Sequence, residues 1–246
     1  NEKGMKELPV PPSGSATAVS PQPLVESGRL VGLVWLEGSD PSALGVRAAA
    51  WNGGGFTAAE WVSPALDGSQ LALSGAVLAD GSWLLVWSAF DGGDDEILWS
   101  RRDGTSWTAP ARLHPDNQVP DITPVVAPTA RGAVAAWSRY DGGAYRGRLM
   151  RFEADAGWRD EERLGGAGSV FPFFAVDDTK SGPLLVFREG VEGRWDLIEL
   201  GGRGEVRSRT RWTGDPGRRP VVQVGAGGAA RLEWVARGSA ERSSTP

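Results

Sequence analysis

Acidic side chains recur at matching places along this chain, and paired carboxylates are the first chemistry they suggest. Glu37 and Asp40, Asp91, Asp141 and Glu189 each follow an apolar run that ends in an aromatic residue. Two carboxyl groups facing each other across a sugar bond can hydrolyse it, and Asp91, Asp141 and Glu189 are the candidates for that work. A second set, His114, Asp116, Asp121 and Asp215, falls between successive units of the same pattern. A ring of acids around one mouth would suit catalysis or the binding of a cation. Asp-Gly steps are equally what tight turns require, so a turn-forming role stands beside the chemical one.

His114 is the only histidine, and there is no cysteine. Disulfides, thiolate metal sites and a cysteine nucleophile are therefore excluded. Without a second nitrogen ligand or a thiolate, no transition-metal centre is expected. His114 lies beside Pro115 and Asp116 and reads as a solvated loop residue. Asp94-Asp95-Glu96 lacks the alternating acid spacing of a calcium loop and reads as a solvated turn. We expect no metal and no cofactor.

Sugar sites stack a ring on an aromatic face and fix hydroxyls with charged side chains. Arg139, Tyr140, Asp141, Arg188, Glu189 and Trp195 form a candidate set of that kind. The alternative for Trp195 is packing within its own sheet. The basic stretch 203–219, with Arg218-Arg219 before Pro220, offers an anion-binding patch or simply a charged edge strand.

The elements that must position these residues follow from composition and periodicity. The 246 residues contain 35 Gly and 12 Trp. Glycine is costly inside helices, whereas many turns and large aromatics suit short strands. A net charge of −5 argues against nucleic acid as a partner. No apolar run approaches the ~20 residues a membrane-spanning helix needs. The chain opens at Asn1 without an initiator Met, so a processed or cut chain is expected, with no signal peptide left to read.

An apolar run ending in an aromatic recurs at Trp35, Trp87, Trp137, Phe187 and Trp234, with spacings of 52, 50, 50 and 47 residues. A second series, Phe56, Trp107, Trp158 and Val206, keeps step with it. Two series with one period predict a repeat of about 50 residues. In the second unit the expected strands are A (Ser74 to Leu78), B (Ser82 to Ser88), C (Glu96 to Arg101) and D (Trp107 to Leu113). Asp80-Gly81, Asp91-Gly92-Gly93 and Asp103-Gly104 provide the turns. Strand B is nearly all apolar, while D strands such as Arg159-Asp160-Glu161-Glu162-Arg163 are charged, as exposed edges should be.

Four-stranded sheets at this period predict an all-β propeller of about five four-stranded blades, a single domain over 1–246. Its repeats span about 17–66, 70–113, 121–164, 170–212 and 219–246, the last completed by residues 1–10. Lys6-Glu7-Leu8 matches the ends of two D strands and is expected to close the final blade. B–C and D–A loops then share one face.

Ser100-Arg101-Arg102-Asp103-Gly104-Thr105-Ser106-Trp107 resembles the Asp-box hairpin of bacterial secreted sialidase-like propeller repeats. It departs from that pattern in placing Asp103 directly before Gly104. The resemblance implies a structural hairpin, a bacterial source and an extracytoplasmic location, periplasmic or secreted. Sialidase activity would further need an arginine triad, a Tyr/Glu nucleophile pair and an acid, and the only tyrosines are Tyr140 and Tyr145.

The function expected is a non-catalytic scaffold that recognises a carbohydrate or a partner protein on the B–C/D–A loop face. The competing reading is a glycoside hydrolase, sialidase-like or using two of the loop carboxylates.

Overall fold

The structure is a computed structural model and describes residues 17–64, 68, 70–164, 169–175, 182–189, 194–213, 218–224 and 230–236. Among these there is no helix, and hence none long and apolar enough to cross a membrane. The first sheet runs β1 (Thr17–Glu26), β2 (Arg29–Gly38), β3 (Gly45–Ala50), β4 (Glu60–Ser63). The second runs β5 (Gln70–Val77), β6 (Trp83–Phe90), β7 (Asp95–Asp103), with β8 (Ser106–Trp107) and β9 (Ala111–Arg112) both pairing β7. The third is β10 (Asp121–Thr129), β11 (Gly132–Tyr140), β12 (Tyr145–Glu153), β13 (Gly157–Leu164). The fourth is β14 (Ser169–Ala175), β15 (Leu184–Glu189), β16 (Arg194–Leu200), β17 (Val206–Thr213). A last pair joins β18 (Arg218–Val224) to β19 (Ala230–Ala236). Every pairing is antiparallel between chain neighbours, save that β9 bypasses β8. The repeated antiparallel sheets are consistent with a β-propeller-like fold.

The expected strands are present among the described residues, with one difference in the first unit, where Phe56 makes only an isolated bridge to Trp51 and the fourth strand starts at Glu60, and two in the second. Strand D is broken into β8 and β9, and Pro110 lies in the break. A proline has no N–H to give to the ladder. Strand A begins at Gln70, four residues earlier than expected. The residues proposed to close the last sheet, 1–10, lie outside the described residues.

Trp87 and Trp137 are fully buried, and Trp35 nearly so. Each lies where the first strand of its sheet bulges. The register of β1 on β2 slips between Val19 and Gln22, that of β5 on β6 between Leu71 and Ser74, and that of β10 on β11 between Ile122 and Val125. In each slip one residue has left-handed backbone: Ser20 (φ 54°), Ala72 (φ 49°) and Thr123 (φ 54°). None is a glycine, so each bears strain that only its surroundings can hold. The bulge thus recurs with the repeat and accompanies the aromatic of the second strand.

The core lies between sheets. One cluster joins the first two sheets around Leu24, Val34, Leu85 and Trp87, and a second joins the next two around Val86, Val126 and Trp137. A third, around Val134, Leu185 and Ile198, joins the third and fourth. First strands also bond across the gaps: Gln22 Nε2 donates to the Leu73 carbonyl at 2.6 Å, and the Val126 N–H donates to Ser74 Oγ at 3.1 Å. A Cβ on Gly75 would sit 2.7 Å from Leu85 and 2.8 Å from Leu24, so glycine there permits the close approach of the first two sheets.

Candidate functional site

The loop between β6 and β7 and the segment between β9 and β10 meet at one end of the second sheet. Together they bring four carboxylates into one place. One oxygen from each of Asp91, Asp94, Glu96 and Asp116 lies within 4.8 Å of the others. Asp91 forms the turn: its Oδ1 accepts the N–H of Gly93 at 2.9 Å and that of Asp94 at 3.2 Å. Those bonds hold its carboxyl below the usual range. Arg112, from β9, pairs with Asp91 and reaches Asp116 at 3.1 Å. A cavity of about 390 Å³ opens here, lined by Asp91, Gly93, Asp94, Asp116 and Gln118. Burial and the charges of Asp91 and Asp116 push Asp94 up from its ordinary value.

Glu96 is the fourth carboxylate of the group. It is wholly buried, and neither of its carboxylate oxygens accepts a hydrogen bond. Its cross-strand partner on β6 is the small, buried Ala89. Burial pushes Glu96 up to about 7; the charges of Asp121 and Asp94 add to that rise, while His114 and Arg112 oppose it.

Behind Glu96 lies His114, buried and stacked on Trp137 with ring centroids 5.5 Å apart and planes 9° apart. The solvated histidine is therefore corrected, and so is the solvated turn at Glu96, which is buried on β7; Asp94 does lie in a turn and is half-buried. His114 Nδ1 lies 2.8 Å from the Pro115 carbonyl, so it carries the proton and donates. His114 Nε2 lies 3.1 Å from Asp121 Oδ2 and 3.6 Å from Glu96 Oε2. Burial works against a charged imidazole, but the contact with Asp121 outweighs it and raises His114 above its ordinary value.

Asp121 was expected in a loop; it opens β10 and is fully buried. It accepts hydrogen bonds from Trp137 Nε1, from Asn117 Nδ2 at 2.7 Å and from Arg139 Nε at 2.8 Å. Burial alone would raise it, but His114, Asn117 and Arg139 hold it below the usual carboxylate range.

The sugar set proposed from sequence is only partly brought together. Arg139 is engaged by Asp121 and by Glu161 at 2.8 Å, which makes it a tie within the third sheet. Tyr140 is half-buried, packs at 5.4 Å on Tyr145 and donates its backbone N–H to Pro120. Asp141 accepts from the Ala144 N–H at 3.1 Å and from Arg146 Nε at 2.6 Å, the turn-forming role. Trp195 lies on β16, half-buried, with Arg188 and Trp212 as its register partners on the neighbouring strands. Arg188 and Glu189 end β15; their side chains, like all of Asp215, lie outside the described residues.

The other candidates serve the fold. Glu37 is buried and accepts from Trp35 Nε1 at 2.7 Å, and Asp40 caps its turn through Ser42. Within the basic stretch, Arg209 and Arg211 pair with buried Asp196 at 2.7 and 3.0 Å. In the Asp-box-like hairpin Ser100 Oγ donates to the Thr108 carbonyl at 2.8 Å, and Trp107 packs edge-on to Trp83.

No family model matches the chain, and no curated protein matches it. The internal repeat is therefore the comparison that bears on the site. Counting 50 residues on from the second sheet to the third, Asp91-Gly92-Gly93 becomes Asp141-Gly142-Gly143, but Asp94 becomes Ala144 and Glu96 becomes Arg146. Arg146 neutralises Asp141 directly, and Arg163 approaches it at 4.0 Å. At the second sheet the cation is replaced by a buried carboxylate, and Asp94 and Asp116 add further negative charge. Sequence reasoning missed Glu96, although this substitution within the repeat was visible.

Proposed function

We propose that the chain is a closed five-bladed propeller acting as an extracytoplasmic recognition scaffold, with a carbohydrate bound on the loop face of its second and third blades. The observation that carries this reading is the polar cavity at Asp91, Asp94, Asp116 and Gln118, of a size suited to a small ligand. Phe90, an exposed aromatic, immediately precedes it. Acceptors beside an aromatic face are what hydroxyls and a sugar ring need. Tyr140 borders the same segment through its bond to Pro120. Calorimetric titration with a panel of oligosaccharides tests this. Binding by the full chain that weakens at least ~10-fold in Phe90→Ala supports it, in line with a lost stacking contact. Binding of a protein and of no sugar would move the reading to a partner surface.

The hydrolase alternative draws on one feature. Glu96, pushed up to about 7, lies close to Asp91, which is held ionised. An acid beside a carboxylate is the division of labour that glycoside hydrolysis uses. Burial speaks against it, because Glu96 has no exposed surface to offer a glycosidic oxygen in this conformation. We expect no turnover of sialosides or aryl glycosides above background. Activity lost in Asp91→Asn, Asp141→Asn or Glu96→Gln would establish the hydrolase instead.

A further inference from the structure

The acidic end of the second sheet has the make-up of a cation site, whatever the loop face recognises. Three carboxylates, from Asp91, Asp94 and Asp116, group with a fourth, Glu96, that is fully buried and accepts no hydrogen bond. A buried carboxylate oxygen with no donor is costly. Arg112 meets Asp91 and Asp116 at the rim. Elsewhere the chain answers such charges with arginine: Arg139 serves Asp121, Arg209 and Arg211 serve Asp196, and Arg146 serves Asp141, whereas Glu96 has only His114 Nε2, at 3.6 Å and shared with Asp121. The position equivalent to Arg146 is Glu96 itself.

We propose that Asp91, Asp94, Glu96 and Asp116 bind one calcium ion, which takes the place that the Arg146 guanidinium holds in the third sheet. All four donors are carboxylate oxygens, the ligand set of hard cations. These oxygens lie within 4.8 Å of one another, close enough for one ion with Ca–O distances of ~2.3–2.6 Å to touch all four. Magnesium, at ~2.0–2.1 Å, demands a tighter octahedron. The opening of the cavity leaves room for waters in the remaining coordination positions. Zinc would favour the other side of Glu96, toward His114, where Asp121 is already saturated by Trp137, Asn117 and Arg139.

The test is calorimetric titration of the chelator-treated full chain with calcium chloride, magnesium chloride and zinc chloride. One calcium per chain is expected, with Kd of about 10⁻⁵–10⁻³ M, the range from sensor loops to extracellular modules, and with magnesium weaker. Asp94→Asn and Asp116→Asn, both at the cavity surface, weaken calcium at least ~10-fold on losing a charged ligand. Asp141→Asn, in the equivalent loop of the third sheet, leaves it unchanged. Glu96→Gln abolishes binding, and the surface variants keep the proposal testable if that protein does not fold. No calcium heat, calcium binding indifferent to Asp94→Asn, or zinc bound through His114 in preference to calcium would each overturn the proposal. Loss of sugar binding through Phe90→Ala with calcium binding intact would separate this site from the recognition reading.

Discussion

Glu96 and His114 titrate in one closed compartment with Asp121, Asp94 and Arg112 around them, and their shifts set a pH dependence. Glu96 keeps a proton in the folded chain up to about 7 that the unfolded chain releases near 4.5. Between those values the native state binds more protons, so stability falls as pH rises. His114, raised by Asp121, contributes stability that is complete below its unfolded value and disappears as pH climbs through the folded one. Asp121 is depressed, so its contribution is present above its unfolded value and disappears on acidification. In chelator-containing buffer the melting temperature is therefore expected to peak near pH ~5 and to decline toward pH ~8. Glu96→Gln removes the larger part of that decline. A melting temperature that is flat or rising over this range would contradict the assignment.

Arg112 gives a second expectation at the same scale. It competes with any added cation for Asp91 and Asp116, so Arg112→Gln should tighten calcium by several-fold, read by the same titration. Little of this was legible in advance. The acids were visible as a repeated turn formula, and Asp40 and Asp141 do act as turn formers. What was hidden is depth: nothing in Asp94-Asp95-Glu96 says that Glu96 is buried opposite Ala89, or that Trp137 caps a histidine.

Among the elements, the aromatic period located the second strands correctly, because a fully buried strand has to be apolar on both faces. The bulges escaped notice, since Ser20, Ala72 and Thr123 share no residue type and none is the glycine that normally marks such backbone. Ala72 offers a direct test. Left-handed backbone costs a non-glycine residue ~1–2 kcal/mol, whereas glycine costs ~0.5–1 kcal/mol in chain entropy. Ala72→Gly should therefore leave stability unchanged or raise it by up to about 1 kcal/mol, measured by denaturant unfolding. A clear loss would mean that the left-handed turn is not held in solution. Trp87→Ala, by contrast, is expected to cost ~3–5 kcal/mol, since the ring is fully enclosed between the first two sheets.

For the molecule as a whole, the ring we propose would be closed by residues 1–10, on the match of Lys6-Glu7-Leu8 to D-strand ends. Removal of residues 1–10 should lower the melting temperature by several degrees, and an unchanged melt would show that the ring does without them. The described cores carry a mechanical consequence of their own. Each lies between two sheets, so a sheet that loses one neighbour loses the core it shares with that neighbour. A chain pulled from its ends should then yield in discrete rips, one sheet at a time. Each rip would release about 50 residues, or ~170 Å of contour at ~3.4 Å per residue. The sawtooth of a force-extension trace would display the repeat as a length.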